Sequence, residues 1–230
     1  MLVLAFDTST SWCSVAVGDG RAWLAAEEDV GQGHSARLLP MAQALLAQGG
    51  WRMAAVDGFA FGAGPGTFTG IRIGCGVAQG LAYGLDRPVV PVPTLAAIAQ
   101  EARRLHATNA VVAALDARMH EVYVAAYRHD GARWQECMAP AVLPPAEVRV
   151  AASAPPWRGA GNGFAAYPEL AERLGIAVDP GVRPTGRAVG ELGTIELEAG
   201  NGMAAERALP VYVRHRVALT TAERESGLKL

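Results

Sequence analysis

The fold is decided by one stretch, GAGPGTFTGIRIGCGVAQGLAYG, which runs from Gly62 to Gly84. Its first part places three glycines around Pro65, and such a loop can adopt backbone conformations that are closed to residues with a Cβ atom. The preceding residues, Val56 to Gly62, are predicted to form a short buried strand. The following residues, Ile71 to Leu85, are predicted to form a helix with an aliphatic residue at every fourth position: Ile73, Val77, Leu81 and Leu85.

The other faces of this predicted helix carry only small residues. A glycine inside a helix costs about 1 kcal/mol relative to alanine, so four of them oppose a helix unless the space they leave is needed. The spacing of Gly76, Gly80 and Gly84 is found where two helices pack closely, although that motif is best known from membranes. We therefore expect the helix to be packed on more than one side.

Composition restricts the class of protein. The chain has 230 residues, a net charge of −2 and a single lysine, Lys229, so phosphate binding by a core lysine is excluded. Three isolated cysteines, Cys13, Cys75 and Cys137, are expected to be buried free thiols in a reducing compartment. No apolar run is long enough to span a membrane. We expect a cytoplasmic protein of one large domain or two small ones.

The N-terminus is predicted to form a hairpin with an acidic, hydroxyl-rich turn. An apolar run ends in Asp7-Thr8-Ser9-Thr10, and a second run ends at an Asp-Gly turn, which is a strong hairpin pattern. The four side chains of Asp7, Thr8, Ser9 and Thr10 could bind a phosphate or a metal-bound water. They could also hydrogen-bond to their own turn, which the residues alone favour.

The next predicted element is a helix after His34, with Ser35 as its N-cap and Pro40 about one turn inside. Its apolar residues cover more than half of its circumference, which is too wide for a helix with its back in water: Leu38, Leu39, Met41, Leu45 and Leu46. Either this helix is enclosed by its own chain, or it offers a second face to a partner.

The second half repeats the first weakly. Another apolar run, Asn109 to Leu115, ends in an acid, Asp116, and is followed by two more predicted strands. The split falls between residues 106 and 107, which gives lobes of 1–106 and 107–230. Asp7 and Asp116 would face each other if the halves were arranged symmetrically. A helix over Ala188–Leu197 and a strand over Leu209–Ala218 are expected near the end, before a polar tail.

Several motifs together resemble the TsaB family, also called YeaZ. They are FDTST at the N-terminus, HSARLLP from His34, GPGTFTGIRIG from Gly64, LDARMHEVY from Leu115, GNG from Gly161 and PVYVR from Pro210. The resemblance implies an α/β fold with two lobes of the actin, sugar kinase and Hsp70 type. These are tandem ribonuclease H-like lobes, of which the second is reduced. It also implies a role in making N6-threonylcarbamoyladenosine next to the tRNA anticodon, in partnership with the transferase TsaD and the ATPase TsaE.

The resemblance also implies how this chain differs from TsaD. TsaD holds a metal through two histidines four residues apart, and Thr94 and Ile98 stand at the corresponding positions here. We therefore expect a non-catalytic scaffold subunit that requires no cofactor or metal and meets tRNA only indirectly. Any ATP or ADP is expected to bind weakly at the Asp7 turn, or at a partner interface. The alternative is a stand-alone ATP-dependent kinase or hydrolase that uses Asp7 and Asp116.

The docking surface is predicted on the two helices described above. We expect them to lie side by side and to expose a shared apolar face, through which the chain forms a two-fold homodimer when alone and binds TsaD in competition with it. The residues predicted to form this interface are His34, Leu38, Leu39, Met41, Leu45, Ile71, Gly74, Cys75, Ala78 and Ala82.

Overall fold

Two five-stranded sheets organise the chain. The computed structural model describes residues 1–150 and 156–214. The first sheet contains β1 (Val3–Asp7), β2 (Trp12–Gly18), β3 (Trp23–Asp29), β4 (Gly58–Gly64) and β5 (Val89–Pro93). The second contains β6 (Ala110–Arg118), β7 (Glu121–His129), β8 (Trp134–Leu143), β9 (Arg158–Ala160) and β10 (Ala177–Asp179).

Both sheets have the same topology. In the first, β1 pairs antiparallel with β2 and parallel with β4, in the order β3-β2-β1-β4-β5. In the second, β6 pairs antiparallel with β7 and parallel with β9, in the order β8-β7-β6-β9-β10. This is the strand order of a ribonuclease H-like lobe, so the two-lobed fold expected from the sequence is confirmed. The second lobe keeps five strands, although β9 and β10 have three residues each.

Helices cover both sheets. They are α1 (His34–Gln48), α2 (Phe68–Leu85), α3 (Thr94–His106), α4 (Gly163–Ala166), α5 (Pro168–Leu174) and α6 (Gly186–Glu198). The apolar central strand β1 is buried on both faces, because Leu4 and Phe6 pack towards α1 and α2 while Val3 and Ala5 pack towards α6. None of the helices in the described part of the chain is long and apolar enough to cross a membrane.

Two helices pack on the sheet of the other half. Helix α3 belongs to the first half by position, but Leu95 and Ile98 join the core of the second sheet. Helix α6 belongs to the second half, but Val189 and Leu197 pack on the first sheet. A Cβ added at Gly193 would lie 2.4 Å from that of Ala60, so a glycine is needed for this close approach. The first sheet ends at Pro93 and the second begins at Ala110, while α6 contributes to the core that covers the first sheet.

Several local expectations are corrected. Helix α1 begins after Gly33, not after Ser35, and continues through Pro40 without interruption. Helix α2 begins at Phe68, three residues before the predicted start. Cys13 and Cys75 are buried as expected, but Cys137 on β8 is exposed.

Candidate functional site

A cleft of about 760 Å³ lies between the two sheets. Its walls come from the loops that follow β1, β3, β4, β9 and β10 and from the end of β6, together with residues 211–214 near the end of the described chain. Ligands of α/β proteins bind outside the carboxyl ends of parallel strands, and the cleft occupies this place in both halves. Its volume suits a small ligand, so its lining decides what it can hold.

The hydroxyl-rich turn after β1 is bonded to itself and to its neighbours. Oδ1 of Asp7 accepts hydrogen bonds from the backbone N–H of Ser9 at 2.8 Å and from its hydroxyl at 2.7 Å. The Thr8 hydroxyl donates to the Gly70 carbonyl at 2.8 Å. Only Ser9 and Thr10 of the four predicted nucleotide-binding residues line the cleft, since Asp7 and Thr8 are buried away from it. These bonds match the alternative in which the side chains of the turn hydrogen-bond to the turn itself.

Asp7 is a buried acid with one unpartnered oxygen. Among the residues that the structure describes, its Oδ2 has no hydrogen-bond partner. Burial raises the pKa of Asp7 to about 6, while the bonds from Ser9 and the nearby Thr94 hydroxyl act in the opposite direction. A Cβ added at Gly62 would lie 1.8 Å from Oδ2, so this glycine of β4 is needed for the strands to close over the acid. Asp7 is therefore enclosed between β1 and β4 and is not a lining residue of the cleft.

The glycine loop packs against the same turn. Cβ atoms at Gly66 and Gly70 would lie 2.5 Å and 1.9 Å from the carbonyl oxygens of Ser9 and Thr8, respectively. The backbone N–H of Thr67 donates to the Ser9 carbonyl at 2.7 Å. The glycines thus allow two backbones to approach closely, and a donor that a phosphate cradle would use is already engaged.

Asp116 lines the cleft, but its carboxylate is already bound. Its Oδ1 accepts from the Arg118 backbone N–H at 2.8 Å and from the Tyr167 hydroxyl at 3.3 Å. Its Oδ2 lies 3.0 Å from the Arg118 guanidinium. Because Asp7 is buried behind its turn, the two acids do not line one cleft. The carboxylate pair required by the alternative enzyme hypothesis is not brought together.

The arginines of the cleft have acidic partners as well. The ion pairs are Arg118 with Asp116 at 3.0 Å, Arg183 with Glu27 at 2.7 Å, and Arg214 with Glu121. The guanidinium of Arg183 also lies 3.8 Å above the ring of Trp12. With its cations paired, the cleft offers little net positive charge for a polyphosphate.

Residues 208–214, here called the strap, cross from the first lobe to the second. The Val211 N–H donates to the Ala63 carbonyl at 2.7 Å, and the Tyr212 hydroxyl accepts from Arg72 Nε at 2.7 Å. At its end, Arg214 pairs with Glu121 at the start of β7. The strap forms no strand, which corrects the prediction for Leu209 onward; the rest of that predicted strand, residues 215–218, and the polar tail lie outside the described residues.

The predicted docking residues are mostly internal. Helices α1 and α2 do contact each other on one face of the first sheet. Leu39 is 39% exposed. The other nine are buried in the chain itself: His34, Leu38, Met41, Leu45, Ile71, Gly74, Cys75, Ala78 and Ala82. The buried small residues of α2 face the sheet, and Gly70 and Gly74 allow the helix to approach Thr8 in the turn after β1. Sequence alone does not give this helical phase.

The outward side of α2 has a different composition. Gly76, Gly80 and Gly84 form a row, here called the glycine face, and a Cβ added at any of them would meet no atom of the described residues within 4 Å. Half-buried Val77 adjoins this row, and Tyr83 is 81% exposed. The Gly-x-x-x-Gly spacing is therefore not used for packing within residues 1–150 and 156–214.

Comparison with known proteins identifies the family. The tRNA threonylcarbamoyladenosine biosynthesis protein TsaB of Escherichia coli is 38% identical over 95% of this chain and 96% of its own length. The Haemophilus influenzae protein of the same name is 36% identical over 94% and 95%, respectively. The chain belongs to the TsaB family. The solved structure of YeaZ from Pseudomonas aeruginosa superposes with a TM-score of 0.85 at 42% identity, covering 92% of this chain and 99% of that one.

The transferase model also matches the TsaB-family chain. The model described as TsaD, tRNA N6-adenosine threonylcarbamoyltransferase, matches residues 28–181. At the positions of the expected TsaD histidines, Thr94 is buried and accepts from the Gly64 N–H at 3.1 Å, and Ile98 lies in the core. Among residues 1–150 and 156–214, no three His, Cys, Asp or Glu side chains are grouped to hold a metal ion.

Sequence reasoning missed two long-range contacts, one in the cleft and one that holds the strap. The stacking of Arg183 on Trp12 and the bond between Arg72 and Tyr212 join residues far apart in sequence. The PVYVR motif, which ends at Arg214, was the one feature of the sequence that pointed to a role for this arginine.

Proposed function

We propose that this chain is a non-catalytic, cytoplasmic subunit of the system that makes N6-threonylcarbamoyladenosine in tRNA. The names of its TsaB relatives support the pathway. The non-catalytic part of the proposal rests on the cleft, where Asp7 is enclosed and the arginines are paired with acids. In addition, Thr94 and Ile98 replace side chains that could hold a metal, since neither is a transition-metal ligand.

The proposed partner is a TsaD-like transferase, which a TsaE-like ATPase joins. Its docking surface is the glycine face of α2 with the exposed side of α1 around Leu39. Glycines without internal contacts cost helix stability, and close packing against another helix would explain their presence. The isolated chain forms a two-fold homodimer through the same surface, since Tyr83 and Leu39 otherwise remain in water.

Nucleotide and tRNA binding by the isolated chain are proposed to be weak. Among the described residues the cleft contains no lysine, and its arginines are already paired; the single lysine of the chain, Lys229, lies outside the described residues. A net charge of −2 gives no general attraction to a phosphate backbone. ATP or ADP at a partner interface would then be held mainly by the partner.

Reconstitution tests the proposal. The chain, a TsaD-like transferase, a TsaE-like ATPase, tRNA and a threonylcarbamoyl donor are combined, and modified adenosine is measured by mass spectrometry of nucleosides. We expect product from the complete set, a large loss when this chain is omitted, and none from this chain with tRNA and donor alone. Turnover by the chain alone that disappears in Asp116→Asn would establish an enzyme instead.

The docking surface is tested separately with Gly80→Glu. The new side chain enters open space, so the variant should fold normally but become monomeric in light scattering and fail to bind the transferase. Leu105→Glu is the matched control, because Leu105 is 51% exposed on α3 and lies outside the proposed surface. If Gly80→Glu binds as the wild type does, the contact lies elsewhere.

A further inference from the structure

A second groove, of about 700 Å³, lies apart from the cleft and shares no lining residue with it. We call it the rear groove. It is lined by β5, α3, the turn between β7 and β8, the second half of α6, and Asn201 and Met203. Both lobes therefore contribute to it, and its volume lies in the range of small-ligand sites.

The floor of the rear groove is apolar. Its floor residues are Val90, Val92, Ala96, Leu192, Ile195 and Met203. Strand β5 is an edge strand, but Pro91 and Pro93 have no N–H to donate. Addition of a peptide strand is therefore disfavoured, and the groove is better suited to a compact ligand than to an extended chain.

The rim of the groove is basic. The guanidinium of Arg133 has no hydrogen-bond or ion-pair partner in residues 1–150 and 156–214, although its backbone N–H donates to Asp130 Oδ1 at 2.8 Å. Arg103 uses its Nε for Asn109 at 3.1 Å, which leaves its terminal nitrogens. Among the described lining residues the single acid is Glu196, and its carboxylate already accepts from Asn201 at 2.6 Å. An anion would meet an unpaired guanidinium here, in contrast to the cleft.

One wall of the groove is held by hydrogen bonds. The indole N–H of Trp134 donates to Gln100 Oε1 at 2.8 Å, and Gln100 Nε2 donates to Glu191 Oε2 at 2.7 Å. The ring of His129 meets that of Trp134 edge to face, with centroids 5.1 Å apart. Its Nδ1 accepts from the Gly131 N–H at 3.1 Å, so its ring proton is on Nε2. The wall is thus fixed before any ligand arrives.

We propose that the rear groove binds a small amphipathic carboxylate. The apolar body of the ligand packs on the floor between β5 and α6, beside the ring of Trp134. The carboxylate pairs with the guanidinium of Arg133, whose planar fork matches it, and Arg103 adds a second positive charge. This site goes beyond the proposed function and does not depend on it.

The experiment uses 3-phenylpropionate as the probe and the whole chain labelled with 5-fluorotryptophan. The five tryptophans give five fluorine signals, and Trp134→Phe assigns that of Trp134. We expect this signal to shift saturably, with a dissociation constant of about 1 mM for so small a ligand. The neutral analogue 3-phenylpropanamide should bind about tenfold more weakly, because it loses the charge-assisted bond.

The variant Arg133→Gln should bind 3-phenylpropionate about tenfold more weakly and bind the amide with unchanged affinity. Arg21→Gln, at an exposed arginine in the turn between β2 and β3, is the matched control and should bind as the wild type does. Equal binding of acid and amide, an unaltered affinity in Arg133→Gln, or shifts confined to other tryptophans would each overturn the proposal. None of these results bears on the docking of a transferase.

Discussion

The substitution Asp7→Asn tests the buried acid directly. Asparagine keeps a carbonyl oxygen that can accept both bonds from Ser9, but it cannot ionise. In the wild type, the pKa of Asp7 is raised from 3.8 to about 6 by burial. A raised pKa means that the folded chain holds this proton more tightly than the unfolded chain does. The associated stability is complete below pH 3.8 and is lost as the pH rises through about 6.

The magnitude follows from the size of the shift. A difference of roughly two units corresponds to about 3 kcal/mol, at 1.36 kcal/mol per unit. The free energy of unfolding of Asp7→Asn, minus that of the wild type, should therefore rise by about 3 kcal/mol between pH 4 and pH 7.5. Taking this difference removes the contributions of all groups that the two proteins share.

Urea denaturation followed by tryptophan fluorescence, at intervals of half a pH unit, measures the difference. A curve that is flat across this range would show that Asp7 has an ordinary pKa. A difference that falls with rising pH would show that the ionised carboxylate is stabilised in the fold, which would refute the reasoning from burial.

Three further predictions concern other positions. Gly80→Ala should raise the free energy of unfolding by about 1 kcal/mol in urea denaturation, since its Cβ meets open space, yet weaken self-association in light scattering. Gly62→Ala should lower the free energy of unfolding by about 3 kcal/mol or more, because its Cβ would lie 1.8 Å from Asp7 Oδ2. A stability equal to that of Gly76→Ala would contradict the close packing of Gly62 on Asp7. Arg214→Gln leaves the Glu121 carboxylate without its cation, so chymotrypsin should cleave after Tyr212 faster than in the wild type, and an unchanged rate would mean that the strap is held without this pair.

The fold could be predicted because its determinants are local. The buried run before Asp7, the Asp-Gly turn and the glycine loop each specify their own segment, and the second half repeats the order. The start of α2 at Phe68 was missed because the helix was placed from its aliphatic spacing, which begins after Thr67, although threonine is a residue type that favours the N-cap.

The residues of α1 and α2 that face outward could not be predicted, since helical phase depends on what a helix packs against. Two rows of small residues run along α2, and sequence treats them alike. Ala78 faces the sheet while Gly80 faces solvent, a difference set by the position of the turn after β1. The ion pairs of the cleft could not be predicted from sequence either, because Glu27, the partner of Arg183, is distant in sequence.

The packing of α6 on the first sheet has a consequence for the folding of this chain during its synthesis on the ribosome. Strands β1 to β5 end at Pro93, but the helix that covers their second face ends only at Glu198. At about 5 to 20 residues per second, the ribosome needs roughly 5 to 20 s to make the intervening chain. During this interval the apolar face formed by Val3, Ala5 and Val90 has no cover from α6. We therefore expect the nascent chain to offer an apolar surface to chaperones until α6 has emerged.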